Sequence, residues 1–326
     1  MDRKAMSSLF EGFDDLKVLV AGDVMLDAYI YGEVKRISPE APIPVVNVTE
    51  KSNCLGGAAN VALNVKALGA TVDLYSVIGA DAASDVLVEA MDTHDLWAHG
   101  MIRSSDRRTT VKSRIISGSQ HIVRFDEEDL FDLNETESGL LLEAIGSKIT
   151  EYDVMIMEDY DKGCLTPAVI SELIRLANKH DVMTAVDPKK AHFMDYMGVT
   201  LFKPNLQELA EGLQMAIGPD DLKKGATLLQ QKLDYRNLLV TLSQHGVFYQ
   251  DATSQGSIPA HVRNIANVSG AGDTVIAVAA LCIASGMDIH ETAVLANLAG
   301  GIVCESAGIV PIDKDRLFRE ALGVRE

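Results

Sequence analysis

The sequence predicts an α/β fold: a mostly parallel central sheet flanked by helices, with a small β-sheet lid. Three observations carry this. From residue 153 onward, short apolar runs alternate with helical patterns at the spacing of βα units. Polar residues (Asp23, Asp159, Lys162, Asp187, Lys189, Asn205, Glu208, Asp273) collect where those runs end, and open α/β sheets bind ligands at the carboxyl ends of their strands. Two stretches, about 28–52 and the 107–125 hairpin, break the rhythm with strand-like alternation and make the lid. No linker, repeat or low-complexity tract interrupts the chain, so 1–326 reads as one domain.

The first apolar run, at 17–22, is a buried parallel strand closed by Asp23. Asp23 is as good a ligand as a turn residue there, whereas Asp27 reads as a turn or cap. Residues 28–51 hold Pro39, Pro42 and Pro44 between apolar runs, which excludes a helix and a central strand. Short antiparallel strands outside the main sheet are expected, with an apolar edge covered by substrate or a second subunit. Leu55-Gly56-Gly57-Ala58-Ala59-Asn60 then opens a helix, with Val61, Ala62, Val65 and Leu68 at helical spacing and Gly69 ending it. Gly56 and Gly57 allow close backbone approach. Asn60 offers a donor and an acceptor suited to sugar hydroxyls, unless it is only part of a helix entry.

Residues 72–78 form the next strand, followed by an acidic helix to about residue 91. Residues 109–117 and 121–125 form a hairpin about Gly118 that carries Arg107, Arg108, Lys112, Arg114 and Arg124. Charge runs are usually solvated faces. Here Lys112 and Arg114 share one face of a strand, which favours an anion site. Further strands are expected at 153–157, 182–186, 200–203 and 237–242, the last ending in Ser243-Gln-His-Gly246. Thr166-Pro167 starts one helix and Pro204-Asn205 another. Asn205 and Glu208 lie at i, i+3 on one helix face. That pair suits a hydrated magnesium ion, yet it fits a capping box equally, and spacing alone prefers the cap.

The last third reads as helix, turn at Ser285-Gly286, helix. Its first helix is uniformly apolar from 275 to 284 and is preceded by Asn267-Val-Ser-Gly-Ala-Gly-Asp273. A helix start carries unpaired N–H groups and a partial positive charge, so Gly270, Ala271 and Gly272 form an anion cradle. Asp273 would repel a phosphate there. Its presence makes sense as a base that takes a proton from an attacking hydroxyl, against the alternative of an ordinary acidic first turn.

Composition excludes several classes. With 29 basic against 47 acidic residues the net charge is −18, which disfavours nucleic acid and anionic membranes. The N-terminus lacks a signal-peptide core and the longest apolar run is too short to span a bilayer, so a cytoplasmic protein is expected. Cys54, Cys164, Cys282 and Cys304 show no metal-ligand spacing and read as buried, reduced thiols. No nucleophile elbow, Walker loop or dinucleotide-binding glycine pattern is present.

Taken together, Gly56-Gly57-x-x-Asn60, Asn205-Leu-Gln-Glu208 and Ser269-Gly-Ala-Gly-Asp273 resemble the ribokinase (PfkB) family of sugar kinases from residue 18 to about 307. Gly22-Asp-Val-Met-Leu-Asp27, residues 37–45, Asp159-Tyr-x-Lys-Gly163 and Val186-Asp-Pro-Lys189 are similar to the heptose 7-phosphate kinases of lipopolysaccharide biosynthesis. The resemblance implies ATP and Mg2+ as cofactors, Asp273 as catalytic base, and an anion hole at Gly270, Ala271 and Gly272. It implies sugar contacts at Asp23, Gly56, Gly57 and Asn60, with Lys112, Arg114 or Lys189 on the 7-phosphate. Asn205, Ser243, Gly246, Asn297 and Gly301 would bind the nucleotide, and Asn205 with Glu208 would hold the metal through water. A homodimer through the lid is implied as well. The pattern ends shortly before Glu326, as in a stand-alone kinase. Two departures stand out: Asn267 replaces a family aspartate ahead of the anion hole, and His121 follows Gln120 where heptose kinases show a Gln pair.

Overall fold

A computed structural model describes residues 2–118, 120–218 and 221–323. The chain runs through α1 (Arg3–Gly12), β1 (Lys17–Gly22), β2 (Val24–Ile37), β3 (Pro44–Gly57), α2 (Ala58–Ala67), β4 (Thr71–Gly79) and α3 (Ala82–Thr93). Next come β5 (Met101–Ser104), β6 (Val111–Ser117), β7 (Gln120–Glu127), α4 (Glu135–Gly146), β8 (Val154–Glu158), α5 (Pro167–Lys179) and β9 (Met183–Asp187). The remainder comprises β10 (Leu201–Phe202), α6 (Leu206–Leu213), α7 (Leu222–Leu233), β11 (Asn237–Thr241), β12 (Val247–Gln250), β13 (Gln255–Ile258), α8 (Ala271–Ala284), α9 (Ile289–Val303) and α10 (Lys314–Ala321).

One sheet has nine strands in the order β13-β12-β11-β10-β9-β8-β1-β4-β5. It is parallel from β11 to β5, and β12 and β13 extend it antiparallel. Its central strands are buried on both faces, which explains why β1 and β8 read as continuous apolar runs rather than alternating ones. One face packs on α1, α2, α3, α8 and α9, the other on α4, α5, α6 and α7. Helix α8 is buried along nearly its whole length, matching its lack of a polar face. Among the described residues no helix is long and apolar enough to cross a membrane.

A second sheet, ordered β3-β2-β6-β7, is the one expected from the broken rhythm. Its strands are longer than the sequence indicated. β2 and β3 have 14 residues each and pair from Val24↔Gly57 to Ile37↔Pro44. The added length comes from Val24, Met25 and Leu26, whose burial against the main core extends the strand back to β1. The prolines obey their constraints: Pro39 and Pro42 lie in the connection, and Pro44 opens β3. Gly56 and Gly57 likewise finish β3 rather than start α2, which begins at Ala58. The expected strand at 200–203 shrinks to Leu201–Phe202, because Pro204 cannot donate to a ladder.

Candidate active site

The carboxyl ends of β1, β8, β9 and β10 converge on the N-terminus of α8. Gly270 caps that helix in the left-handed region (φ 80°) without a side-chain cap. A Cβ at Gly270 would stand 2.8 Å from Asn60 Nδ2, so the glycine is required by conformation and by space. The first helical N–H groups have no partner within the helix, although the Ala271 amide reaches the Val268 carbonyl at 3.3 Å. Asn267 has a clear local function: its Oδ1 accepts from the Ser269 amide at 2.9 Å. An amide oxygen closes this turn as an aspartate would, without adding a charge beside the cradle.

Asp273, in the first turn of α8, is 3% exposed. Its Oδ2 accepts from Asn60 Nδ2 at 2.6 Å and its Oδ1 from the Tyr160 hydroxyl at 2.9 Å. Burial pushes this carboxyl up from the usual range, while the two donors pull it back down. Asn60 therefore faces the acid, and its own backbone carbonyl accepts from Asn64 at 2.8 Å.

Around Asp273 lies an alternating set of buried charges. Asp187 Oδ2 pairs with Lys203 Nζ at 2.7 Å, and Lys189 Nζ bridges Asp187 at 3.4 Å and Glu208 at 2.7 Å. Burial alone would raise the Asp187 carboxyl, but Lys189 and Lys203 hold it below its ordinary value. A Cβ on Gly272 would stand 3.7 Å from Asp187 Oδ2 and 3.8 Å from Lys203 Nζ, so this ion pair borders the cradle. Glu158, fully buried at the end of β8, has no hydrogen-bond partner on either oxygen among the described residues. Burial first, then Asp187 and Asp273, push it well above the carboxylate range.

Asn205 and Glu208 form the capping box in full, with bonds of 2.8 and 2.7 Å. Glu208 spends one oxygen on the cap and the other on Lys189. Each Glu208 oxygen keeps a second lone pair that could accept from a metal-bound water; among the described residues no group of three or more His, Cys, Asp or Glu side chains could hold a metal ion directly.

Asp23 is taken up by backbone amides. Its oxygens accept from the amides of Tyr160 (2.8 Å), Lys162 (3.1 Å) and Cys164 (3.0 Å), so it organises the loop after β8. Asp27, read from the sequence as structural, faces Gly56 and pairs with Arg114. Of the basic residues of the second sheet, Arg108 pairs with Asp129 and Arg124 with Asp126, while Arg107 donates to the carbonyls of Phe131 and Lys162. Lys112 makes no ion pair with a described carboxylate and lies over the Tyr160 ring, 5.1 Å from its centroid.

Of the expected nucleotide residues, Asn205 stays with Glu208, whereas Gly246, Asn297 and Gly301 meet one segment, 258–263. A Cβ on Gly246 would meet the backbone of Ile258 and Ala260, and Asn297 donates to the Pro259 carbonyl at 2.9 Å. Arg263 fills the space over Gly301, and Ser243 begins the turn that Gly246 closes. Tyr160 and Glu158 were not among the sequence candidates. Their signals were an acid ending an apolar run and a tyrosine inside the Asp159–Gly163 pattern.

Comparisons with known proteins place the chain in a family and a fold. Residues 15–315 match the pfkB family carbohydrate kinase family. Bifunctional protein HldE of Caulobacter sp. is 40% identical over 324 residues, covering 98% of this chain, and that of Granulibacter bethesdensis is 37% identical over 316 residues, covering 94%. The chain spans 65% of the length of both relatives. In fold it is similar to phosphofructokinase-2 from Escherichia coli (TM-score 0.77, 17% identity, covering 94% of this chain and 98% of that one). A ribokinase from Thermotoga maritima is similar at TM-score 0.70 and 18% identity, covering 94% and 99%. Since the family match takes in both sheets and every residue of the cleft, this chain belongs to the pfkB family of carbohydrate kinases, phosphotransferases that act on a sugar hydroxyl.

Proposed function

We propose that this chain transfers the γ-phosphoryl group of ATP to the anomeric hydroxyl of D-glycero-β-D-manno-heptose 7-phosphate, giving the 1,7-bisphosphate. The observation that carries the reading is Asp273: a buried carboxylate, held by two donors, at the mouth of a helix N-terminus lined by Gly270 and Gly272. The anomeric oxygen gives its proton to Asp273 and bonds to the γ-phosphorus. The bond from that phosphorus to the β–γ bridging oxygen breaks, and ADP leaves with the electron pair. Backbone N–H groups at the start of α8, with Lys203 and Lys189 behind them, stabilise charge on the transferring oxygens. Asn205 and Glu208 would hold magnesium through water, and the ion, when bound, would supply charge neutralisation for the ATP phosphates.

The sugar's choice rests on the motifs similar to heptose kinases and on the relatives named HldE. For the 7-phosphate, the geometry favours Lys112: Arg114 is engaged by Asp27, and Lys189 by Asp187 and Glu208. Gly56, Gly57 and Asp27 would border the sugar, and the 258–263 segment with Asn297 would border the nucleotide. Apolar side chains exposed on the second sheet (Val34, Ile37, Val48, Val123 and Phe125) support its pairing with a second copy as a lid. The test is a coupled ADP-release screen of heptose 7-phosphate against fructose 6-phosphate, ribose and free heptose. The reading stands if heptose 7-phosphate has the highest kcat/KM and is withdrawn if another sugar exceeds it.

A further inference from the structure

Tyr160 joins the base to three other parts of the site. Its hydroxyl donates to Asp273 Oδ1 at 2.9 Å. Its ring lies beneath two ammonium groups, Lys112 from β6 at 5.1 Å and Lys189 beyond β9 at 5.0 Å from the centroid. Its backbone amide is fixed by Asp23 Oδ2 at 2.8 Å. The loop therefore has little freedom to turn, and the two cations hold the ring from its π face. The hydroxyl stays protonated, because burial and then Asp273, Glu158 and Asp187 push it well above the usual tyrosine range.

Every element packed around Asp273 bears on its charge. Asn60 from α2, Tyr160 from the loop after β8, and Lys203 beyond β10 favour ionisation; Asp187 from β9 and Glu158 from β8 oppose it. A donor to the ionised form selects that form. Among these groups Tyr160 is the one whose removal can be made at a single atom, by deleting its oxygen.

We propose that Tyr160 is a positioning residue for phosphoryl transfer: its hydroxyl keeps the Asp273 carboxylate ionised and aimed at the sugar hydroxyl, while Lys112 and Lys189 hold its ring in place. The inference rests on Asp273 being the base, as argued above.

The test uses Tyr160→Phe, which keeps the ring and both lysine contacts, and 3-fluorotyrosine placed at position 160, which strengthens the donor. The acid limb of kcat/KM against pH reports the base of the free enzyme, and substrate ionisation is common to all forms. Losing one hydrogen bond to a charged group should raise that limb by about one unit in Tyr160→Phe. On the acid side of the limb kcat/KM should be about tenfold lower, with sugar KM within about threefold of the parent. The fluorinated enzyme should shift the limb downward. If neither form moves the limb, Tyr160 only packs and the proposal is overturned; if Tyr160→Phe does not fold, the fluorinated enzyme decides. Asp273→Asn separates the two readings. An active Asp273→Asn refutes the base itself, whereas an inactive one with an unmoved limb refutes only the role of Tyr160.

Discussion

Asn60 Nδ2 lies 2.6 Å from Asp273 Oδ2, tying the first turn of α2 to the first turn of α8 across 213 residues of chain. Behind that contact is a second asparagine. Asn64 donates to the Asn60 carbonyl, and its Oδ1 accepts from the Thr274 hydroxyl and the Ile312 amide, each at 3.0 Å. The two helices carrying the base and its partner are therefore locked by a buried polar network in which each member is satisfied.

Replacing Asn64 with leucine should leave the Ile312 amide unpaired in the core, while the Thr274 hydroxyl falls back on the Gly270 carbonyl at 3.2 Å. One stranded buried donor costs about 1–3 kcal/mol. Urea unfolding should show a loss in that range, with activity reduced in the surviving folded fraction. A loss under about 0.5 kcal/mol would mean that water replaces the side chain.

Asn60→Ala should act on chemistry more than on stability. It removes the shorter of two donors to Asp273, so the carboxyl rises further and its alignment loosens. A drop in kcat of about 10- to 100-fold is expected, on the scale of one charge-assisted hydrogen bond. If instead the sugar KM rises with kcat unchanged, Asn60 serves the substrate as the sequence indicated.

Gly57 adopts φ 58° and ψ −136°, and a Cβ there would run into the Asp23 carbonyl. That carbonyl also accepts from the Ala58 amide at 3.0 Å, so it has no room to retreat. Gly57→Ala should cost at least about 2 kcal/mol, from backbone strain and displacement of the β3–α2 junction. Chemical denaturation measures it.

The sequence foretold the elements well and their neighbours poorly. Buried parallel strands and the apolar α8 are local patterns, so their types were legible, as were the glycines that only a helix-start cradle requires. Asn60, Asp27 and Tyr160 were harder, because each takes its role from a partner far along the chain. Asp27 meets Arg114 only because β2 runs parallel to β6 in the register Asp27↔Lys112. Tyr160 meets Asp273 only because β8 sits between β1 and β9. Sheet order is set by long-range packing, which no window of sequence contains. The basic cluster was visible, but its neutralisation by Asp27, Asp126 and Asp129 was not, since ion pairing depends on side-chain reach in the folded sheet.

Pairing of the second sheet with a second copy should be sensitive to charge at its exposed apolar positions. Val48, 47% exposed on edge strand β3, is a suitable site. Val48→Asp should convert a dimer to a monomer in sedimentation at micromolar concentration, because burying an unpaired carboxylate costs several kcal/mol. A parent enzyme that is already monomeric would refute the lid interface.

The buried acids at the end of β8 give a stability profile opposite to that of ordinary salt-bridged carboxylates. Glu158 is raised by burial, Asp187 and Asp273, and Asp159 is pushed up to about 7 by burial and then by Asp23. A carboxyl whose folded pKa exceeds its unfolded value binds more protons in the native state between those two values. Stability from these groups is therefore complete below about pH 4 and declines as pH rises, through about 7 for Asp159 and through a folded value likewise raised above the ordinary one for Glu158. Glu158→Gln preserves the shape and removes the ionisation. The variant should match the parent near pH 4 and exceed it progressively as pH rises toward 8, where melting should rise by about 2 °C for each kcal/mol relieved. The difference between the two melting curves isolates this carboxyl, since every other titrating group is common to both. A constant difference across that range would show that Glu158 carries its charge in the folded protein, neutralised by Lys189 and Lys203 more strongly than its lack of direct partners implies.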